Sequence, residues 1–246
     1  MPRFFINSEK IENENIMITG EDFNHIKNVL RLRQGDSLVI SDGNCTDYDV
    51  VIDSYASSHV VTRIVGKCKN NNESDIDITL LQGIPKSDKM DLIIQKSVEM
   101  GVKRIIPVLT ERTVVKINSE KDSRNKVTRW QRIAQEASKQ CNRGIMPTVE
   151  DPVTFYEAVV KLKRADLSLI PYEKESGNKL KSVLKGNDAK TISVMIGPEG
   201  GFASSEVDLA VENGFIPVTL GPRILRTETA GLSALSIIMY ELGDIG

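Results

Sequence analysis

Two glycine-bearing turns, each entered from an apolar run and left through a helical pattern, constrain this chain more than any other feature. The first is Ile196-Gly197-Pro198-Glu199-Gly200-Gly201-Phe202, which follows the run Thr191 to Ile196. The second is Leu220-Gly221-Pro222-Arg223-Ile224-Leu225-Arg226-Thr227-Glu228-Thr229-Ala230, which follows Ile216 to Leu220. Strand-to-helix turns in a parallel α/β sheet gather at the carboxyl edge of the strands, where ligands bind. A glycine there lets a ligand approach bare backbone, because no Cβ stands in the way.

The rest of the C-terminal part supports that sheet. Strands are expected at Ile76 to Gln82, Val102 to Leu109 and Leu167 to Pro171. Helices are expected at Asp88 to Met100, stopped by Gly101, and near Asn125 to Cys141, Phe155 to Leu162 and Leu180 to Leu184. Another helix follows Gly201 and ends at Gly214, and a last one starts near Thr227. Such alternation is the pattern of parallel strands joined by crossover helices. The segment Arg3 to Lys69 has a different rhythm. Short strand patterns at Phe4 to Ile6, Ser37 to Ile40, Tyr48 to Ile52 and Val60 to Val65 predict a small β-barrel, interrupted by one helix carrying Phe23, Ile26, Val29 and Leu30. The polar run Lys69 to Asp75 reads as the linker, which divides the chain into domains 1–72 and 73–246.

Composition narrows the partners. A net charge of -2 over 246 residues denies the chain overall basicity, so any RNA contact has to come from a local patch. Cys45, Cys68 and Cys141 form no CxxC, and His25 and His59 are the only histidines; no metal site and no disulfide framework is expected. No apolar run approaches a membrane span and the start shows no signal-peptide pattern, so a cytoplasmic setting is expected.

The first turn matches neither common phosphate loop, having no Gly-Lys-Ser/Thr and no G-x-G-x-x-G. Glu199 places negative charge where phosphate oxygens would sit. A cationic or neutral ligand is favoured, and S-adenosylmethionine, a sulfonium without phosphate, meets that requirement.

The chain resembles the RsmE-type family of SPOUT methyltransferases. The resemblance rests on His25 with Val29-Leu30-Arg31 and Gly35-Asp36; on Gln95-Lys96, Glu99-Met100-Gly101-Val102 and Glu111-Arg112; and on Trp130, Glu136-Ala137, Gln140, Arg143 and Pro147. The blocks Ile196 to Phe202 and Leu220 to Ala230 complete it. It implies an N-terminal PUA-like barrel, a C-terminal α/β domain tied in a deep trefoil knot, a homodimer, and methylation of N3 of one uridine in 16S ribosomal RNA within the small subunit. Two departures stand out. Ala203 replaces a common Ser, so that Ser204 is expected to cap the next helix, and Met100 replaces Leu.

Against that background the cofactor is expected to lie on Leu169, Pro171, Ile196, Gly197, Glu199, Gly200, Gly201, Leu220, Gly221, Ile224 and Leu225. Arg226 would stabilise negative charge on the uracil carbonyls, with Glu199 or Glu228 taking the N3 proton or holding Arg226. RNA contacts are expected from Arg3, His25, Lys27, Arg31 and Arg33 and from Lys86, Lys89, Arg112, Lys139 and Arg143. Two other functions fit the same residues: a non-catalytic RNA-binding protein of this fold, and a related methyltransferase acting on ribose 2′-oxygen or on a transfer RNA base.

Overall fold

The computed structural model describes residues 1–6, 11–12, 14–161 and 165–246. The chain divides into two compact units, one made of Met1–Glu73 with Ser138–Met146, the other of Ser74–Ala137 with Pro147–Gly246.

In the first unit β1 (Arg3–Phe5), β2 (Ile11–Glu12), β3 (Asn15–Thr19), β4 (Ser37–Ser41), β5 (Thr46–Tyr55) and β6 (His59–Lys69) form one sheet in the order β1-β4-β5-β6-β3-β2. The β1–β4 pair is parallel and the other pairs are antiparallel. Period-two alternation puts Ile16, Ile18, Leu38, Ile40, Val50, Ile52 and Val60 on one buried face. The strands β5 and β6 run to 10 and 11 residues, longer than their apolar centres predict, because their polar ends continue the ladder from Thr46 to Lys69. The expected helix is α1 (Gly20–Asn24) continued by one π turn, His25–Val29. Phe23 and Ile26 join the core, but Val29 is 69% exposed, since the wider π turn rotates it away from the face that three-and-four spacing assigned to it.

Within the polar run 69–75, Asn70, Asn72, Glu73 and Ser74 commit their side chains to hydrogen bonds. Asn70 is buried and donates through Nδ2 to Asp47 Oδ2 (2.8 Å) and the Asn142 carbonyl (3.2 Å). Glu73 takes two parallel 2.8 Å bonds from Arg143 Nε and Nη2, and its Oε1 also accepts the Gly144 and Ile145 amides. Arg143 is 3% exposed.

In the second unit β7 (Asp77–Gly83), β8 (Arg104–Leu109), β9 (Thr148–Val149), β10 (Val153–Thr154), β11 (Leu167–Pro171), β12 (Thr191–Ile196) and β13 (Ile216–Val218) are all parallel. Their order is β10-β8-β7-β12-β11-β13, with β9 beside β8. Six of the seven residues of β7 are buried, as in a strand covered on both faces. The helices are α2 (Lys89–Glu99), α3 (Glu120–Gln140), α4 (Phe155–Lys161), α5 (Leu180–Leu184), α6 (Ser204–Glu212) and α7 (Thr227–Glu241). The expected end of α4 at Leu162 lies outside the described residues. The helix α3 starts five residues before the apolar stripe suggests, because the Ser119 hydroxyl accepts the Asp122 amide and caps a turn that buries nothing. Leu81, Ile106, Val108, Ile170 and Met195 of the strands pack against Ala158 and Val159 of α4 and Val207 and Ala210 of α6. On the other side α2 and α7 pack together, and α7 also meets β12.

Because all strands point one way, the segments that follow β7, β12, β11 and β13 leave from the same edge. The approach there is close: a Cβ on Gly83, the last residue of β7, would lie 2.6 Å from Pro198 Cδ. Only glycine admits the Gly197-Pro198 turn at that spacing.

Cutting Arg143 back to alanine leaves a buried carboxylate without its partner, and the loss is expected to be about 3–5 kcal/mol of stability, read by urea unfolding followed through far-UV circular dichroism.

Candidate active site

The two glycine turns face each other across a cavity of about 540 Å³. The first contributes Ile196 to Phe202, the second Thr219 to Thr227, and Pro171, Tyr172 and Glu173 after β11 form a third wall. Of the residues expected to hold the cofactor, all line the cavity except Leu169, which is fully buried inside the sheet between Val194 and Ile216. That position is corrected by register: Leu169 lies two residues short of the strand end, so the wall begins at Pro171.

Backbone conformation explains the glycines. Gly201 has φ +66° and donates its amide to the Pro198 carbonyl (2.9 Å), closing a tight turn. Gly221 has φ +117°, outside the reach of ordinary L-residues. Thr227, the first residue of α7, joins the turns. Its hydroxyl donates to the Gly197 carbonyl at 2.6 Å and accepts from Gln82 Nε2 at 3.0 Å.

The first turn is anchored from below as well. Arg112 donates through Nη1 to the Gly200 carbonyl at 2.8 Å. Glu206 accepts the Ala203 amide through Oε2 (2.9 Å) and the Glu111 amide through Oε1 (2.8 Å). The N-cap of α6 is Ala203 itself, not a residue bonded through Ser204; with no side-chain oxygen at the cap, Glu206 supplies the one remaining half of a capping box.

Charge is concentrated around Glu199. Its carboxylate accepts the Lys86 amide (3.1 and 3.2 Å) and lies 3.0 Å from Lys89 Nζ, which is also 3.4 Å from Glu228 Oε2. Burial pushes the Glu199 carboxyl up, but hydrogen bonds from its own backbone amide, from Lys89 and from Lys86 outweigh that and hold it below the usual value. The pairing with Glu199 and Glu228 holds the Lys89 ammonium above its usual value. Arg226 is exposed at the cavity rim, and among the described residues its guanidinium has no carboxylate or carbonyl partner. Glu228 sits beside the cavity without lining it, its Oε2 buried and without an aligned hydrogen bond.

The expected RNA contacts separate into two groups. Lys27, Arg31, Arg33 and Lys86 are exposed; Lys27 Nζ lies over the Phe23 ring at 5.3 Å, and Arg31 is held at φ +53°. Arg3 and Arg143 are corrected from surface contacts to structural ones. Arg3 makes two bonds to Asp47 (2.7 and 2.8 Å) with little exposure, and Arg143 is closed over Glu73. His25 is half-buried edge-on to Phe4 (centroids 5.9 Å apart), and Lys139 is paired with Asp22 at 3.0 Å. Arg112 holds the Gly200 carbonyl. Tyr172, Glu173 and Thr227 also line the cavity, as does Lys89, which the sequence suggests only as an RNA contact; none carries a local pattern that distinguishes it from surface or strand-end chemistry. Among the described residues no cluster of His, Cys, Asp or Glu suits a metal ion, and no helix is long and apolar enough to cross a membrane.

Comparison with known proteins places this geometry. A family model described as an RNA methyltransferase domain matches residues 72–239, and one described as an RNA methyltransferase PUA domain matches residues 18–53. A ribosomal RNA small subunit methyltransferase E of Bacillus subtilis is 34% identical over 252 residues, covering 98% of this chain and 97% of its own. The chain belongs to the ribosomal RNA small subunit methyltransferase E family. Its counterpart from Buchnera aphidicola is 33% identical over 99% of this chain and 95% of its own. A crystal structure of the family member from Neisseria gonorrhoeae, bound to S-adenosylmethionine, superposes with a TM-score of 0.90 at 33% identity and covers all of both chains. The SPOUT-type α/β fold with a PUA domain is thereby the fold of this family member too.

Because the folded value of Glu199 lies below its ordinary value of 4.5, its pairing adds stability at neutral pH that is lost as pH falls through the folded value. The variant E199Q has no such group. It is expected to melt below the unsubstituted protein at pH 7, with the gap closing as pH falls from the ordinary value of 4.5 through the lower folded value, as differential scanning calorimetry across pH will read.

Proposed function

We propose that this family member transfers a methyl group from S-adenosylmethionine to N3 of a uridine in the 16S RNA of the small ribosomal subunit. The observation that carries the reading is the cavity between the two glycine turns, with Arg226, unpaired among the described residues, at its rim. Its volume of about 540 Å³ falls within the ordinary range for small-molecule sites. Carbonyls and amides of Gly197 to Gly201 and Leu220 to Leu225 offer adenine its hydrogen bonds without bulky side chains. The acids Glu173 and Glu199 at the first turn suit a positive centre. When bound, the cofactor supplies a methyl group made electrophilic by the sulfonium.

The protein's task is then positioning and charge. Uracil N3 becomes a good nucleophile only as the anion, whose charge sits on the flanking carbonyl oxygens. Arg226 stabilises that charge and orients the ring; fixed donors aimed at developing charge are worth about 10²–10³ in rate each. Glu199 is a poor base, since its oxygens are occupied and its carboxyl is held low. Glu199 and Glu228 instead hold Lys89, and the N3 proton passes to solvent. The Watson–Crick edge has to be free, so the target uridine is unpaired or flipped out.

We assign residues 1–72 to RNA binding and 73–246 to the cofactor and chemistry, with Lys86 as an RNA contact of the second part. Lys27, Arg31, Arg33 and Lys86 are the phosphate contacts, giving salt-sensitive affinity. The cytoplasm, where ribosomal subunits are built, is the setting. The threading of the chain end into a trefoil knot is part of the same reading, supported by the convergence of three separate loops on one cavity. A homodimer is also proposed. Leu92 and Tyr240 are 44% and 67% exposed beside the half-buried Leu232 and Ile237, an apolar strip along α2 and α7 that a second copy would cover.

Two outcomes are expected. Replacing Arg226 with alanine lowers methyl incorporation into small subunits at least about 100-fold, while calorimetry still detects cofactor binding; full turnover rules the role out. Introducing glutamate at Tyr240 halves the sedimenting mass of the dimer in analytical ultracentrifugation.

A further inference from the structure

Lys89 stands where a cation is disfavoured. It is the first residue of α2, at the positive end of the helix dipole, where lysine is normally avoided. Two carboxylates compensate for that placement: Glu199, from the turn after β12, at 3.0 Å, and Glu228, from the first turn of α7, at 3.4 Å. The three groups come from three separate elements that meet only in the folded sheet. Lys89 and Glu199 line the same cavity as Arg226, and Glu228 is two residues beyond it.

The charged side chains here are the acids Glu173 and Glu199, with Glu228 beside the cavity, and the cations Lys89, Arg223 and Arg226. Arg226 lines the same cavity as Glu199, and an arginine within reach of a carboxylate is normally captured by it in a two-pronged pair. That has not happened: among the described residues Arg226 has no such partner, while Lys89 serves both acids. A lysine suits this task, because its compact ammonium can satisfy two carboxylates at once.

We propose that Lys89 is a positioning residue that keeps Arg226 available: by holding Glu199 and Glu228 together it prevents either from capturing the guanidinium, which stays directed at the substrate. This rests on the reading of Arg226 given above. In the absence of the ammonium, Glu199 or Glu228 swings to Arg226, and the site loses the donor it needs while the glycine turns and the cofactor cavity persist.

The test uses the full-length protein and three variants, K89M, K89R and K89M/E199Q/E228Q. Methyl transfer to intact small subunits is measured at saturating S-adenosylmethionine, cofactor binding by calorimetry, and the Arg226 Nε–Hε signal by ¹⁵N NMR. Methionine keeps the length and packing of the side chain but not its charge. In K89M, kcat is expected to fall at least about thirtyfold with the cofactor Kd within about threefold, and the Arg226 signal to move to that of a carboxylate-bound guanidinium. K89R is expected to keep more than about a third of the activity. The triple variant is expected to regain at least about tenfold over K89M and to return the Arg226 signal. The proposal is overturned if K89M weakens cofactor binding more than about tenfold with kcat unchanged, which would make Lys89 a cofactor ligand. It is equally overturned if the Arg226 signal does not move in K89M, or if the triple variant is no better than K89M. A failure of the methyl-transfer reading itself looks different: the unsubstituted protein then incorporates no methyl group at all.

Discussion

The 2.6 Å hydrogen bond from the Thr227 hydroxyl to the Gly197 carbonyl is the contact on which the site depends. It fixes the start of α7 against the end of β12, so the turn before one and the turn after the other must face each other. Gln82, on the neighbouring strand β7, donates to the same hydroxyl and ties the junction to the centre of the sheet. The close passage of Gly83 past Pro198 leaves no space for the turn to shift. A cavity with backbone walls follows from these three contacts without any specialised binding side chain.

Around that junction the charges are arranged to separate roles. Glu206 and Arg112 hold the first turn through its backbone. Glu199 and Glu228 are drawn to Lys89, and Arg226 is left at the rim. An acid already ionised and paired has little use as a base, whereas a free guanidinium beside a ligand cavity is well placed to meet developing negative charge. The same economy of partners appears in the first unit, where Arg3 and Arg143 are closed over carboxylates while Arg31 and Arg33 stay exposed.

Much of this was legible in the sequence, for physical reasons. Buried parallel strands are nearly continuous apolar runs, so β7, β8, β11 and β12 stand out, and Gly201 and Gly221 mark backbone that only glycine adopts readily. What escaped was set by contacts distant in the chain. Leu169 looks the same as its neighbours until register buries it two pairs short of the edge. Arg3 and Arg143 read as surface cations, because their acids, Asp47 and Glu73, are 44 and 70 residues away. Nothing local in the sequence distinguishes Lys89 from the exposed Lys86 three residues earlier. The π turn at His25 moved Val29 out of the core for a similar reason, since hydropathy spacing assumes a regular helix.

The most direct test of the account is a crystal structure of this chain with S-adenosylmethionine. The account places the adenosine between Gly197–Gly201 and Leu220–Leu225 and the sulfonium methyl toward Arg226. Cofactor density on any other surface, or a methyl pointing away from Arg226, would contradict it.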